Sequence, residues 1–477
     1  MKGDLMKTDC SKKSFEFQPL DSRKVLGAFD GGHISSDGGA LLLRAVEDRT
    51  NIIGLFADCF TDHRDPDRIE HTVPQLAGQR IYGLALGYED IIDHDDLRYD
   101  PLLAVLAGKA DPTGADRLRE SDRGKALAGK STLNRLELTL PDADKNSRYN
   151  KIVLNQALVD QYFVNIFLQS RKKPPKRIVL DLDATDDLIH GAQEGRFYHG
   201  YYKNYCYLPL YIFCEDDLLC ARLRPSNIDA AKGAVDELKR IVDQIRQQWK
   251  KIKIVVRADG GFCREEIMSW CEQNKVKYIL GLPKNSRLKD DISDELAQAK
   301  KLFEQTGEPA RVYKDFKYKT LDSWSRSRRV VAKAEHLEKG QNPRFIVTSI
   351  PADEINAKTL YEKQYCARGE MENRIKEQQL HLFADRTSCT KMRANQIRLW
   401  FSSVAYTLMQ ALRRLGLSGT KMARAQCATI RLKLLKIGAC IKISVRRIFI
   451  SLASGCPYKE IFATVWANLQ RINTVRY

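Results

Sequence analysis

Arg177-Ile178-Val179-Leu180-Asp181-Leu182-Asp183-Ala184-Thr185 is the stretch on which the reading of this chain turns. Just before it stands Arg171-Lys172-Lys173-Pro174-Pro175-Lys176, whose two prolines cannot continue a helix, so one element ends there and another begins. Ile178, Leu180 and Leu182 alternate with Val179, Asp181 and Asp183. That is the period of a β-strand, and it places both aspartates on one face. An ionised carboxylate at the end of a buried strand is costly unless something pairs with it or a cation binds it. The strand therefore points to chemistry at its C-terminal end.

Working outward, Leu208 to Cys214 and Leu218 to Leu223 read as two further strands. Val235, Leu238, Ile241, Val242, Ile245 and Trp249 then recur at three- and four-residue intervals, the pattern of an amphipathic helix. A strand at Ile252 to Arg257, a helix at Arg264 to Gln273 and a strand at Lys277 to Leu282 follow. Three strands, helix, strand, helix, strand make a mixed α/β core whose first three strands form a meander. Asp259 comes directly after the fourth strand and before Gly260-Gly261, which let the backbone turn tightly. A plain turn aspartate would satisfy the same pattern.

Residues 1–170 read as a mainly helical region, with turn-rich Phe29 to His33 and Ser35 to Gly39 before a helix from Ala40, and another helix at Val73 to Gly83. The acidic run Glu89 to Asp100 holds hard metal ligands, but loop and helix-cap positions account for it better. Residues 285–350 are β-rich, with extended stretches at Val312 to Lys319, Arg328 to Ala334 and Phe345 to Ser349. After Pro351 the pattern is helical to about Arg414, and a basic helical region follows at 415–477. In the helix after Pro351, Tyr365, Arg368 and Glu372 fall at i, i+3 and i+7 and so share one face. A solvated stripe is the ordinary explanation, although Cys366, Ala367 and Met371 offer no better outer face.

The net charge is +18 over 477 residues, and it is unevenly spread. From Lys391 to Tyr477 there are 16 basic residues and one acid, Glu460, whereas the rest holds 63 basic and 60 acidic residues. Apolar residues are interleaved with the cations, as between Ile430 and Ile450, so this is a folded basic surface suited to a polyanion. Nucleic acid fits better than a membrane, because no amphipathic anchor and no apolar run near ~18 residues is visible. Met1 to Phe17 lacks the apolar segment of a secretory signal, and the twelve cysteines include no CxxC pair. Neither a zinc knuckle nor a disulfide framework is expected, which fits a cytoplasmic protein.

At these residues the chain resembles the DDE insertion-sequence transposases with an RNase H-like core, in particular the family called IS-thirteen-eighty, related to the IS-four group. Asp183-Ala184-Thr185 matches the family's first aspartate, Asp259 its second, and Tyr365, Arg368 and Glu372 its Tyr–Arg–Glu motif. The motif's final Lys falls on Gln379, a departure, with Lys376 one turn nearer as a substitute. His190 to Gly195 and Tyr201-Tyr202 carry the likeness further. The resemblance implies strand cleavage and transfer on duplex DNA, at transposon ends and target, by a nucleoid-associated homodimer. Asp183, Asp259 and Glu372 would be the catalytic and metal-holding residues for two Mg²⁺ ions, with Mn²⁺ able to substitute. Residues 171–284 and 351–414 would form the two parts of the core and 285–350 an insertion. Tyr365, Arg368, Lys376 and Gln379 would contact DNA, as would Trp324 of the insertion, stacked on an extruded base, with Arg326, Arg328 and Arg329 on phosphates. Two other readings remain open at this point. Asp181-Leu182-Asp183-Ala184-Thr185 also fits the loop of haloacid-dehalogenase-like phosphatases, with Asp181 as nucleophile, and the chain could be a transposase-derived DNA-binding protein without activity.

Overall fold

The computed structural model describes residues 14–472. Eight of its strands are β1 (Arg177–Ala184), β2 (Leu210–Cys214), β3 (Asp217–Arg222), β4 (Lys253–Ala258), β5 (Lys277–Leu282), β6 (Ala310–Tyr318), β7 (Arg328–Leu337) and β8 (Arg344–Thr348). They form one sheet in the order β3-β2-β1-β4-β5-β8-β7-β6, with the short Gly340–Gln341 added to β7. β1 runs antiparallel to β2 and parallel to β4, and β4 is parallel to β5. β8 joins β5 antiparallel, so the strands of 310–348 continue the core sheet and do not fold as a separate one.

The alternation in β1 decides which face does what. Ile178, Leu180 and Leu182 are buried against α1 (Ala234–Gln248) and α2 (Glu265–Gln273), together with Ile254 and Val256 of β4. Leu238, Ile241, Val242 and Ile245 of α1 are all fully buried there. At about 1.5–3 kcal/mol for each such side chain, this face alone accounts for roughly 6–12 kcal/mol, an upper bound because the unfolded chain is already partly collapsed. α3 (Ser293–Thr306) covers the outer strands of the same face through Leu296 and Ala299. Across the sheet, Val179, Val255, Ile279, Val331 and Ile346 pack against Leu360 and Tyr361 of the segment that leads into α4 (Gly369–Lys376).

The β2–β3 end of the sheet rests on a second core. Tyr211, Phe213, Leu218 and Ala221 pack there with α5 (Met392–Ala411), which is buried on almost every side. N-terminal helices Leu41–Thr50 and Val73–Leu86 complete this core. Among the described residues no helix is long and apolar enough to cross a membrane.

The ends of the chain depart from an all-helical reading. Ala439–Ile443 and Ile448–Leu452 form a hairpin to which His33–Ser35 adds a third strand. The two stretches, Ala-Cys-Ile-Lys-Ile and Ile-Phe-Ile-Ser-Leu, are β-branched and alternating, which favours a pleated surface over a helix. Ser14–Leu20 and Arg23–Ala28 pair as a further hairpin. The acidic run behaves as caps and pairs. Asp90 and Asp93 form a capping box, the Asp100 side chain accepts from the amides of Leu102 and Leu103, and Glu89 and Asp90 pair with Arg386.

Candidate active site

β1 and β4 end side by side because they are parallel neighbours in register, with Asp181 opposite Arg257 and Leu182 opposite Ala258. The carboxylates that follow, Asp183 and Asp259, therefore emerge at one edge of the sheet. Asp259 closes the turn after β4, its Oδ1 accepting from the Gly261 amide at 2.9 Å. The turn passes so close to β5 that a Cβ on Gly281 would lie 2.8 Å from the Gly260 nitrogen and 2.6 Å from the Tyr365 hydroxyl. Glycine is required at 281 for that reason. Glu372 arrives from α4.

Asp183, Asp259 and Glu372 line one cleft of about 600 Å³, together with Arg368, Lys376 and Gln379. Arg368 lies between two of the acids: its Nη1 donates to Asp183 Oδ2 at 3.1 Å and its Nη2 to Glu372 Oε1 at 2.7 Å. Burial pushes the Asp183 carboxyl up to about 6; the Arg368 guanidinium opposes this, and the neighbouring Asp259 and Glu372 carboxylates add to it. Asp183 thus feels the charge of both other acids. Among the described residues, no three His, Cys, Asp or Glu side chains group tightly enough to hold a metal ion, and here a guanidinium bridges the acids.

Asp181, on the same face as Asp183, has a different fate. Arg257 donates to it from Nε at 2.5 Å and Nη2 at 2.8 Å, and also to the Gln364 carbonyl, with both side chains nearly buried. A carboxylate committed in this way is not available as a nucleophile, which removes the basis of the phosphatase reading.

The helical stripe is only partly preserved. Leu360–Tyr365 is π-helical, Cys366–Arg368 is a 3₁₀ turn, and α4 proper begins at Gly369. The angle per residue changes across this join, yet Tyr365 stays near Arg368 and Asp259, whose charges both act on its phenol. It lines a neighbouring cavity with Tyr361, Arg344 and Lys284, beyond the Gly260 turn. Gln379, at the position of the expected Lys, lines the cleft but is engaged by its own chain. Its Nε2 donates to Asp187 Oδ1 at 2.7 Å and to the Asp186 carbonyl at 3.1 Å.

Trp324 and its arginines lie outside the cleft. Trp324 is 4% exposed, with its ring edge-on to Tyr318 and Arg328 over its face. Arg328 is buried between Glu265 and Glu272, Arg326 also pairs with Glu272, and Arg329 pairs with Asp315. Stacking of Trp324 on a base would first require it to leave this packing. The residues that sequence reasoning did not place in the cleft are His199, Tyr201 and Tyr202, from the turn between Phe197–His199 and Asn204–Tyr207. The consecutive tyrosines were the available signal.

Asp187, gripped by Gln379, is completely buried, and one of its oxygens has no hydrogen-bond partner among the described residues. Burial pushes its carboxyl up to about 8; the Gln379 hydrogen bond works against this and nearby Asp385 and Asp186 work with it. The folded state therefore holds a proton that the unfolded state releases near pH 4. This stability is present at low pH and is lost as pH rises from about 4 to 8, by roughly 5 kcal/mol at most. Glu47 and Asp183 titrate in the same direction, so the measurable quantity is a difference. Urea midpoints should fall from pH 5 to 9 for the parent and fall less for Asp187→Asn. Parallel curves would show that Asp187 is not a source.

Carboxylates at adjacent strand ends, a helix glutamate beside them and a guanidinium among them thus meet in one cleft of a mixed α/β chain. The chain belongs to the DDE transposases: the model of the family described as Transposase DDE domain group 1 matches residues 17–474. It is accordingly an enzyme of DNA strand cleavage and transposition. No curated protein matches it. Among solved structures it is similar to the cryo-EM structure of a piggyBac transposase synaptic complex with hairpin DNA, at 13% identity and a TM-score of 0.42, over 84% of this chain and 80% of that one.

Proposed function

We propose that the Asp183–Asp259–Glu372 cleft binds the ends of the element that encodes this chain, cuts them with a divalent metal ion and joins them to target DNA. The observation that carries this reading is the convergence of the three acids, from two parallel strand ends and one helix, on a single cleft. The sheet order β3-β2-β1-β4-β5, with only β1, β4 and β5 parallel, supports an RNase H-like core formed by 171–284 and 351–414 with 285–350 inserted. On this reading the chain is of the IS-thirteen-eighty kind, and it acts as a homodimer at the nucleoid.

The donors suit Mg²⁺: all are hard oxygens, and the ion needs only two or three carboxylates because it keeps much of its water. Asp183, Asp259 and Glu372 would hold it, and Arg368 would release the two carboxylates it now bridges. A metal held by these residues would supply activation of the attacking oxygen and stabilisation of the leaving one. The freed Arg368 then faces the cleft with Lys376, where a guanidinium and an ammonium can hold phosphate oxygens in place. The test is incubation of the protein with a duplex spanning one end of the encoding element, with Mg²⁺, Mn²⁺ or chelator. Cleavage at the end that requires metal is expected. Release of phosphate from a small phosphomonoester, with the duplex left intact, would overturn the reading.

The C-terminal cations are less available than their number suggests. Arg393, Arg414 and Arg431 donate to backbone carbonyls, Arg398 pairs with Glu137, Arg413 with Glu377 and Lys436 with Asp37. Lys391, Lys421, Arg424, Lys433, Lys442, Arg446 and Arg447 are exposed. If five of these meet phosphates, the log–log salt slope of DNA binding should be roughly −4 to −5. Converting Lys442, Arg446 and Arg447 to Ala together should flatten it by about 2 to 3. A slope unchanged by the triple variant would place the DNA elsewhere.

A further inference from the structure

We infer that the turn carrying Tyr201 is a stacking platform for an unpaired nucleobase beside the scissile phosphate. The inference rests on the DNA-processing reading of the cleft. His199, Tyr201 and Tyr202 line the same cleft as the three acids, and the turn is fixed there. The Lys203 amide donates to the His199 carbonyl at 2.8 Å, closing the turn with Lys203 in the left-handed region at φ 55°. The Tyr202 hydroxyl donates to the carbonyl of Ala184, the residue after Asp183, at 3.3 Å. Tyr202 is further wedged against His199, with ring centroids 4.9 Å apart.

Tyr201 is thereby held in place without being covered. Its ring meets Tyr202 edge-on at 5.0 Å, and it is 84% exposed. A large aromatic side chain left bare beside the cleft carboxylates has no part in the protein's own core. Next to the acidic wall of Asp183, Asp259 and Glu372, the hairpin that carries Tyr201 is itself aromatic and bears cations. Tyr198 and Tyr205 are a cross-strand pair with rings 5.5 Å apart, both about half exposed, and Arg196 lies 3.9 Å over the Tyr205 ring. Lys203 on the turn and Lys376 across the cleft are exposed cations. Aromatic faces among cations match an unpaired stretch of nucleic acid, whose bases stack on rings of any sequence while its phosphates meet the charges. A base within a duplex has no free face to offer, so the occupant is an unpaired base. Trp324, enclosed with Tyr318, does not offer such a face in this arrangement.

The test compares two probes: a blunt duplex of the element's end, and the same duplex with its nucleotides unpaired at the cleavage junction. Stacking on one base is worth about 5- to 150-fold in affinity. Tyr201→Ala should lose that factor on the unpaired probe and much less on the blunt duplex, whereas Tyr201→Phe should bind both as the parent does, because stacking needs the ring and not the hydroxyl. With 5-iodouracil at the junction, irradiation should crosslink the parent at Tyr201. If the parent cuts and binds DNA but Tyr201→Ala binds both probes equally well, the platform is wrong and the function stands. If the parent binds neither probe, both readings fall together.

Discussion

Glu372→Gln should abolish strand cleavage, lowering its rate by at least roughly a hundredfold, and leave DNA affinity nearly unchanged. The amide keeps the shape of the carboxylate but loses the charge that holds a divalent ion. The fold should tolerate the change. Glu372 is half exposed, and its pairing with Arg368 is an i,i+4 contact of the kind worth about 0.3–0.5 kcal/mol. Arg368→Ala should behave differently, weakening binding and cleavage together, since a guanidinium facing the cleft can grip phosphate and its loss also leaves Asp183 with only the Ala184 amide as partner. Binding and cleavage measured separately distinguish the two variants. Should Glu372→Gln cut at the parent's rate, α4 would supply no replacement: Glu370 points outward and pairs with Arg374, and the next acid along, Glu377, is buried with Arg413 and the Cys427 amide. The metal-ligand assignment would then fail outright.

What could be read from the sequence follows the range of the physics involved. Strand β1 was legible because its period is two and its buried face is continuous, and β5 was placed at Lys277–Leu282 for the same reason. The three acids were legible as strand-end and helix positions. The course of the 360–381 segment was not. Its switches between π, 3₁₀ and α geometry depend on packing against the sheet, and they leave Tyr365 lining a neighbouring cavity while still close to the Arg368 charge. Gln379, a departure from the motif's Lys, was expected to contact DNA. In the structure it is the donor to buried Asp187, a partnership between residues 192 positions apart that no local pattern reports. The basic C-terminal run was legible as charge but not as availability, because carbonyls from distant helices claim many of its arginines.

Arg257→Ala should cost about 3–5 kcal/mol of stability, the usual penalty for stranding one member of a buried ion pair. Arg257 lies directly opposite Asp181 in the parallel β1–β4 pair, and the two side chains retain only 10% and 7% of their exposure. Among the described residues neither makes another ion pair, so removing the guanidinium leaves a carboxylate in the middle of the sheet with its solvation gone. Replacing both at once, Asp181→Leu with Arg257→Met, should recover most of the loss, because well-packed apolar side chains of similar volume often substitute for a buried pair at no net cost. Urea unfolding of the two single variants and the double variant closes the cycle and isolates the coupling between them. Arg257→Ala within about 1 kcal/mol of the parent would show that the pair is not what holds β1 to β4. The same double variant also tests the chemistry. Since Asp181 is occupied by Arg257 and is not among the residues that line the cleft, the double variant should retain metal-dependent cleavage once folded. Loss of cleavage in a stably folded double variant would mean that Asp181 positions Asp183, two residues along the same strand.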